Sequence, residues 1–158
     1  MMDIVTFVAT MFLVFAATIG FALVVQAPRR GLVITGIIGA TSYLPYTLCL
    51  STSKNQYYGI FLATLLVCFM GMLFARIKHI PANILIIPSL VLYFPGQQAY
   101  KMMVNLFDMD LHAFISNTAA FAKISLAIYA GFIIVNITFP GLWRYWLQVK
   151  SRWTSHQE

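Results

Sequence analysis

Residues 4–25 contain no charged side chain, and that run constrains the fold more than any other feature. As a helix it covers roughly 30 Å, the thickness of a bilayer's hydrocarbon core. Further apolar stretches occupy 31–50, 57–75, 80–94 and 113–139, separated by short polar segments. Only 9% of the 158 residues are charged, against about 25% in an ordinary soluble domain. So few charges cannot cover a water-facing globule of this size. The pattern predicts an all-α integral membrane protein with about five transmembrane helices.

The fourth stretch is irregular, because it holds Pro81, Pro88 and Pro95. Pro81 suits the first turn of a helix, where its missing N–H costs nothing. Pro88 removes a backbone hydrogen bond inside the helix, and Pro95-Gly96 ends or breaks it. Residues 80–94 reach only ~22 Å, too short for a bilayer. Residues 97–107 supply the missing length, which predicts one discontinuous span over 80–107, broken between Pro88 and Gly96. The last span, 113–139, is expected to stop at Pro140-Gly141. The membrane domain is then 1–141. The tail, 142–158, is expected to lie as an interfacial helix anchored by Trp143, Trp146 and Trp153.

Orientation follows from where Lys and Arg fall. Arg29, Arg30, Arg76, Lys78, Arg144, Lys150 and Arg152 share one side, while Lys54 and Lys101 lie on the other. The richer side is expected to be cytoplasmic, with the N-terminus outside and the C-terminus in the cytoplasm. The net charge of +6 thus reads as a topology signal. No aromatic-interleaved basic surface or nucleic-acid motif accompanies it. The N-terminus lacks the positive n-region of a secretory signal, so a retained first helix is expected. Pairs of small residues four apart, such as Gly36 with Ala40 and Gly71 with Ala75, predict close helix packing in lipid.

No enzyme signature is present: there is no HExxH, no GxSxG and no glycine-rich phosphate loop. The acidic residues all fall outside the predicted hydrocarbon core. His79 and His112 each stand alone, and Cys49 and Cys68 lack CxxC spacing. No metal site, no cofactor and no catalytic group is expected. Two features remain. The first is the segment from Pro88 to Lys101. A broken helix within a membrane frees backbone groups that only protein or a wet cavity can satisfy. The half-helix starting near Gly96 would turn its positive dipole end toward an anionic group such as a carboxylate. Pro88 and Pro95 shape the break, Ser89, Tyr93, Gln97, Gln98 and Tyr100 add hydrogen bonds, and Lys101 adds a positive charge. The second is Lys123, about ten residues into the last span and so ~15 Å along it. At that depth an interior partner or an aqueous cavity is expected. A span starting nearer Asn117 would instead bring Lys123 within reach of the outer interface.

The stretch from Ile86 to Tyr100, IIPSLVLYFPGQQAY, resembles the proline–hydrophobic–Pro-Gly signature of the threonine/serine exporter family. Gly20 to Gln26, the run Pro28-Arg29-Arg30-Gly31-Leu32, and Pro140-Gly141-Leu142-Trp143 resemble its small-subunit (YjjB-like) half. The resemblance covers nearly the whole chain in order. It implies one half of a two-part exporter for threonine and serine, or in split systems a dicarboxylate such as succinate. The positions that carry over are Pro88, Pro95, Gly96 and Tyr100. Gln97 stands where the family often has glycine. The resemblance also implies a larger membrane subunit as partner and a bacterial inner-membrane location. An N-out chain with an odd number of spans suits the second half of an inverted pair. With no acid in the predicted core, a titratable coupling group would come from that partner. A homo-oligomer is the other assembly, and a non-transporting membrane scaffold or assembly subunit the alternative function.

Overall fold

The computed structural model describes the backbone over residues 4–53 and 55–154, and the side chains of 5–52 and 55–141. Helix accounts for 90% of the chain, with no strand among the described residues. The elements are α1 (Ile4–Val24), α2 (Arg29–Ser53), α3 (Gln56–Lys78), α4 (Ala82–Leu90), a 3-10 turn (Val91–Tyr93), α5 (Gly96–Phe107) and α6 (Leu111–Thr154). Four of them, α1, α2, α3 and α6, contain stretches long and apolar enough to cross a membrane. Ala82–Tyr93 is a shorter apolar helix.

Helix ends follow local chemistry. Asn55 caps α3, its side-chain oxygen accepting from the Tyr57 N–H at 3.1 Å. At the other end His79 takes a left-handed conformation (φ 54°) and donates its N–H to the Ala75 carbonyl. Pro81 precedes α4, where no intrahelical N–H is needed. α4 runs on through Pro88, tightens into the 3-10 turn, and gives way at Phe94, which is extended (ψ 131°). Pro95 then leads into α5.

Pro140-Gly141 does not end the last helix. α6 continues for 44 residues to Thr154 with Pro140 inside it. A single proline removes one backbone hydrogen bond, and a helix can continue past it at that cost. The tail side chains, including the three tryptophans, lie outside the described ones.

Contacts between neighbours set the directions. α1 and α2 are joined by the short link 25–28 and pack together, Thr18 meeting Gly39 and Phe15 with Ile19 meeting Gly36, so they run antiparallel. Leu85 of α4 packs by Gly31, Ser89 by Thr35 and Tyr93 by Ser42, so α4 rises alongside α2. Tyr57, Thr64 and Phe69 of α3 meet Lys123, Gly131 and Phe139 of α6 in that order. α3 and α6 are therefore parallel, and both descend toward the basic end marked by Arg29, Arg30, Arg76 and Lys78.

α4 is held against α1, α2 and α3, whereas α5 packs on α6. Ile38, Val67, Leu85 and Ile86 are almost fully buried at the centre. Glycine allows this closeness in lipid, where van der Waals fit does most of the work. A methyl group at Gly71 would overlap the Ile86 side chain, and one at Gly39 would overlap Thr18.

Lys123 packs at the same end of the bundle as the start of α3. Its ammonium lies 6.0 Å from the centroid of the Tyr57 ring, beside the first turn of α3. From Tyr57 to Arg76, α3 rises about 28 Å, close to one hydrocarbon thickness. Lys123 therefore sits at the upper edge of the bundle. The preceding residues of α6 extend ~18 Å beyond it, paired with α5 as a helical hairpin.

Candidate functional site

α4 stops short of the upper edge of the bundle, and the space above its end is a cavity of about 330 Å³. Its floor and one wall come from Tyr93, Phe94 and Pro95, with Tyr43 and Tyr46 of α2 beside them. Gln97 and Gln98 of α5 face Gln56 and Ile60 of α3 and Ile124 of α6. Three consecutive departures from α-helix produce this room: the 3-10 turn, the extended Phe94 and the proline at 95.

Tyr93 is the fixed point of the site. Only 6% exposed, it shares a hydrogen bond of 2.8 Å with Ser42. Its ring centroid is 5.9 Å from that of Tyr46, which is 5.6 Å from Tyr43. The three phenols form a tilted row along one side. Below them the bundle is closed by buried polar contacts. The Ser89 hydroxyl lies within reach of the carbonyls of Leu85 (2.9 Å) and Thr35 (3.3 Å). The Thr35 hydroxyl donates to the Gly31 carbonyl at 2.9 Å.

α5 begins at the cavity without a side-chain cap. The Gly96 N–H turns back to the Phe94 carbonyl at 2.8 Å, and the Ala99 N–H reaches the Pro95 carbonyl at 3.1 Å. The first-turn amides of a helix lack intrahelical acceptors, and the dipole makes that end favourable to negative charge. Among the described residues, no charged side chain lines the cavity. What it offers is phenol faces, amide groups and a helix start, at a volume within the range of small-molecule sites.

Of the residues singled out in the sequence, Tyr93, Pro95, Gln97 and Gln98 line this cavity. Pro88 and Ser89 are buried lower down in the bundle. Gly96 sits at the α5 start with nothing within 4 Å of where a side chain would grow. Tyr100 and Lys101 lie farther along α5 and are exposed. Lys123 lines a different groove, on the other side of the α3–α6 pair. Tyr43, Tyr46 and Gln56 were missed. Their signal was the polar, aromatic character of the second span and the polar turn before the third.

The bundle thus combines four helices able to cross a membrane with a small cavity of phenols and amides between α4 and α5. The chain belongs to the threonine/serine exporter family: the family model described as Threonine/Serine exporter, ThrE, matches residues 10–138. No solved structure matches it.

Proposed function

We propose that this chain is the small membrane subunit of a secondary exporter that moves threonine and serine, or a small dicarboxylate such as succinate, out of the cell. The observation that carries this reading is the cavity at the start of α5, in a chain of an exporter family. The substrate carboxylate is held by the first-turn amides of α5 near Gln97 and Gln98. An ammonium group, where the substrate has one, lies over the phenol faces of Tyr46 and Tyr93. Gln56 and Gln98 take the remaining polar groups.

In this reading α4, the 3-10 turn and the start of α5 form the broken fourth of five crossings, and the rest of α5 rises past the bundle's edge beside α6. The basic end faces the cytoplasm of a bacterial inner membrane, with the N-terminus outside, so the cavity lies toward the outer face. A larger membrane subunit of the same family completes the pathway and supplies the titratable coupling group.

The test is efflux of labelled threonine, serine and succinate from cells lacking the endogenous system. The chain is expressed alone, and then with whatever co-purifies stoichiometrically in mild detergent. The expected result is efflux with the partner that falls severalfold with Gln98→Ala or Tyr46→Ala. Undiminished efflux of every substrate with both variants sinks the site. Absence of efflux with the intact pair leaves a scaffold or assembly subunit as the better account.

A further inference from the structure

The wall made by α3 and α6 has two faces, and the second carries a site of its own. Gln56 and Ile124 look into the cavity, whereas their sequence neighbours Tyr57 and Lys123 look the opposite way. There they head an open groove of about 500 Å³. Below them the lining is Phe61, Leu126, Ala127 and Ala130. From Lys123 to Ala130 the groove descends ~10 Å toward the interior of the bundle's span. It is thus polar at the rim and hydrocarbon beneath, a gradient opposite in kind to the uncharged polar cavity behind the wall.

We propose that this groove binds an anionic phospholipid of the leaflet at the α3 N-terminal end, with the headgroup phosphate on Lys123 and an acyl chain along Phe61, Leu126 and Ala130. Three observations carry it. Among the groove's described lining residues Lys123 is the charged one, so the rim favours a negative headgroup. Asp108 and Asp110 are the nearest acids along the chain, and Asp110 lies ~20 Å up α6 from Lys123, too far to neutralise it. Lys123 also stands level with the first turn of α3, and where α3 spans the bilayer that is the depth at which headgroups meet hydrocarbon. A zwitterionic amino acid would gain nothing from the apolar floor, whereas a lipid uses both halves. The proposal rests on α3 spanning the bilayer, not on the transported substrate.

The test is native mass spectrometry of the detergent-purified chain titrated with phosphatidylglycerol or phosphatidylcholine of identical acyl chains. Wild type is expected to hold phosphatidylglycerol about fivefold more tightly, the attraction one lysine exerts on an anionic headgroup. Lys123→Gln abolishes the preference and Lys123→Arg keeps it. Ala130→Trp fills the groove while leaving the lysine, so it weakens both lipids and carries the test if K123Q does not accumulate. An unchanged preference in K123Q, or none in wild type, overturns the proposal. So does a preference that inorganic phosphate removes and A130W leaves intact, because the site would then be a bare anion contact. Efflux is not the readout, so failure here leaves the exporter reading untouched.

Discussion

The Tyr93 phenol and the Ser42 hydroxyl meet at 2.8 Å, joining the end of the fourth helical segment to the middle of α2 across 51 residues of sequence. This bond fixes the floor of the cavity, because Tyr93 is the last residue of the 3-10 turn on which Phe94 and Pro95 change direction. With the phenol removed, the Ser42 hydroxyl still donates to the Gly39 carbonyl at 2.8 Å. Tyr93→Phe is expected to cost about 1 kcal/mol, whereas Ser42→Ala, which strands a buried hydroxyl, costs about 1–3 kcal/mol. The double variant should lose less than the sum. Thermal melting in detergent measures all three, and strict additivity would show that the bond carries no stability.

Gly71 is where α4 is pressed hardest against α3. Gly71→Ala drives a methyl into Ile86, and such overpacking typically costs about 1–3 kcal/mol. Ile86→Val in the same chain should recover part of the loss by trimming the opposing side chain. Gly20→Ala provides the control, because nothing lies within 4 Å of the added methyl. A melting temperature lowered equally at Gly20 and Gly71 contradicts the packing account.

Lys101 and Gln98 share a helix but not a role. Gln98 lines the cavity, while Lys101 is exposed three residues on. Gln98→Ala is expected to raise the apparent KM for efflux about fivefold, the value of one hydrogen bond. Lys101→Ala should change it less than about twofold, as exposed surface substitutions do. Transport kinetics with the assembled exporter separate the two, and a larger effect at Lys101 would move the site outward along α5.

Orientation can be read with a membrane-impermeant thiol reagent. In a chain with Cys49 and Cys68 replaced, Thr52→Cys at the end of α2 should label in intact cells. Lys78→Cys at the end of α3 should label only after the membrane is opened. The reverse pattern would invert the topology and put the cavity on the cytoplasmic side.

Much of the helical plan was legible because hydropathy acts over whole segments. Residues 4–25 and 57–75 correspond closely to α1 and α3, since an unbroken apolar run admits few other structures in lipid. Packing was less legible. The sequence left two depths open for Lys123, because its place beside Tyr57 at the start of α3 comes from packing that hydropathy does not encode. Pro140 read as a stop, although one proline only deletes one backbone bond and α6 carries on. Tyr43 and Tyr46 sit in an apolar run with no motif around them. Their meeting with Tyr93 depends on the register between α2 and α4, which Gly31, Thr35 and Ser89 determine through space.

The length of α6 gives the molecule a lever. Its 44 residues form a rod of about 66 Å, which starts in the hairpin with α5 and ends beyond the basic face. A tilt applied to the hairpin would carry one wall of the cavity with it, through Ile124. Pro140 interrupts the rod's hydrogen bonding just past Phe139, which packs edge-on against Phe69. The clamp and the soft joint thus sit side by side. The hairpin end is therefore tied more directly to the cavity wall than to the segment beyond Pro140.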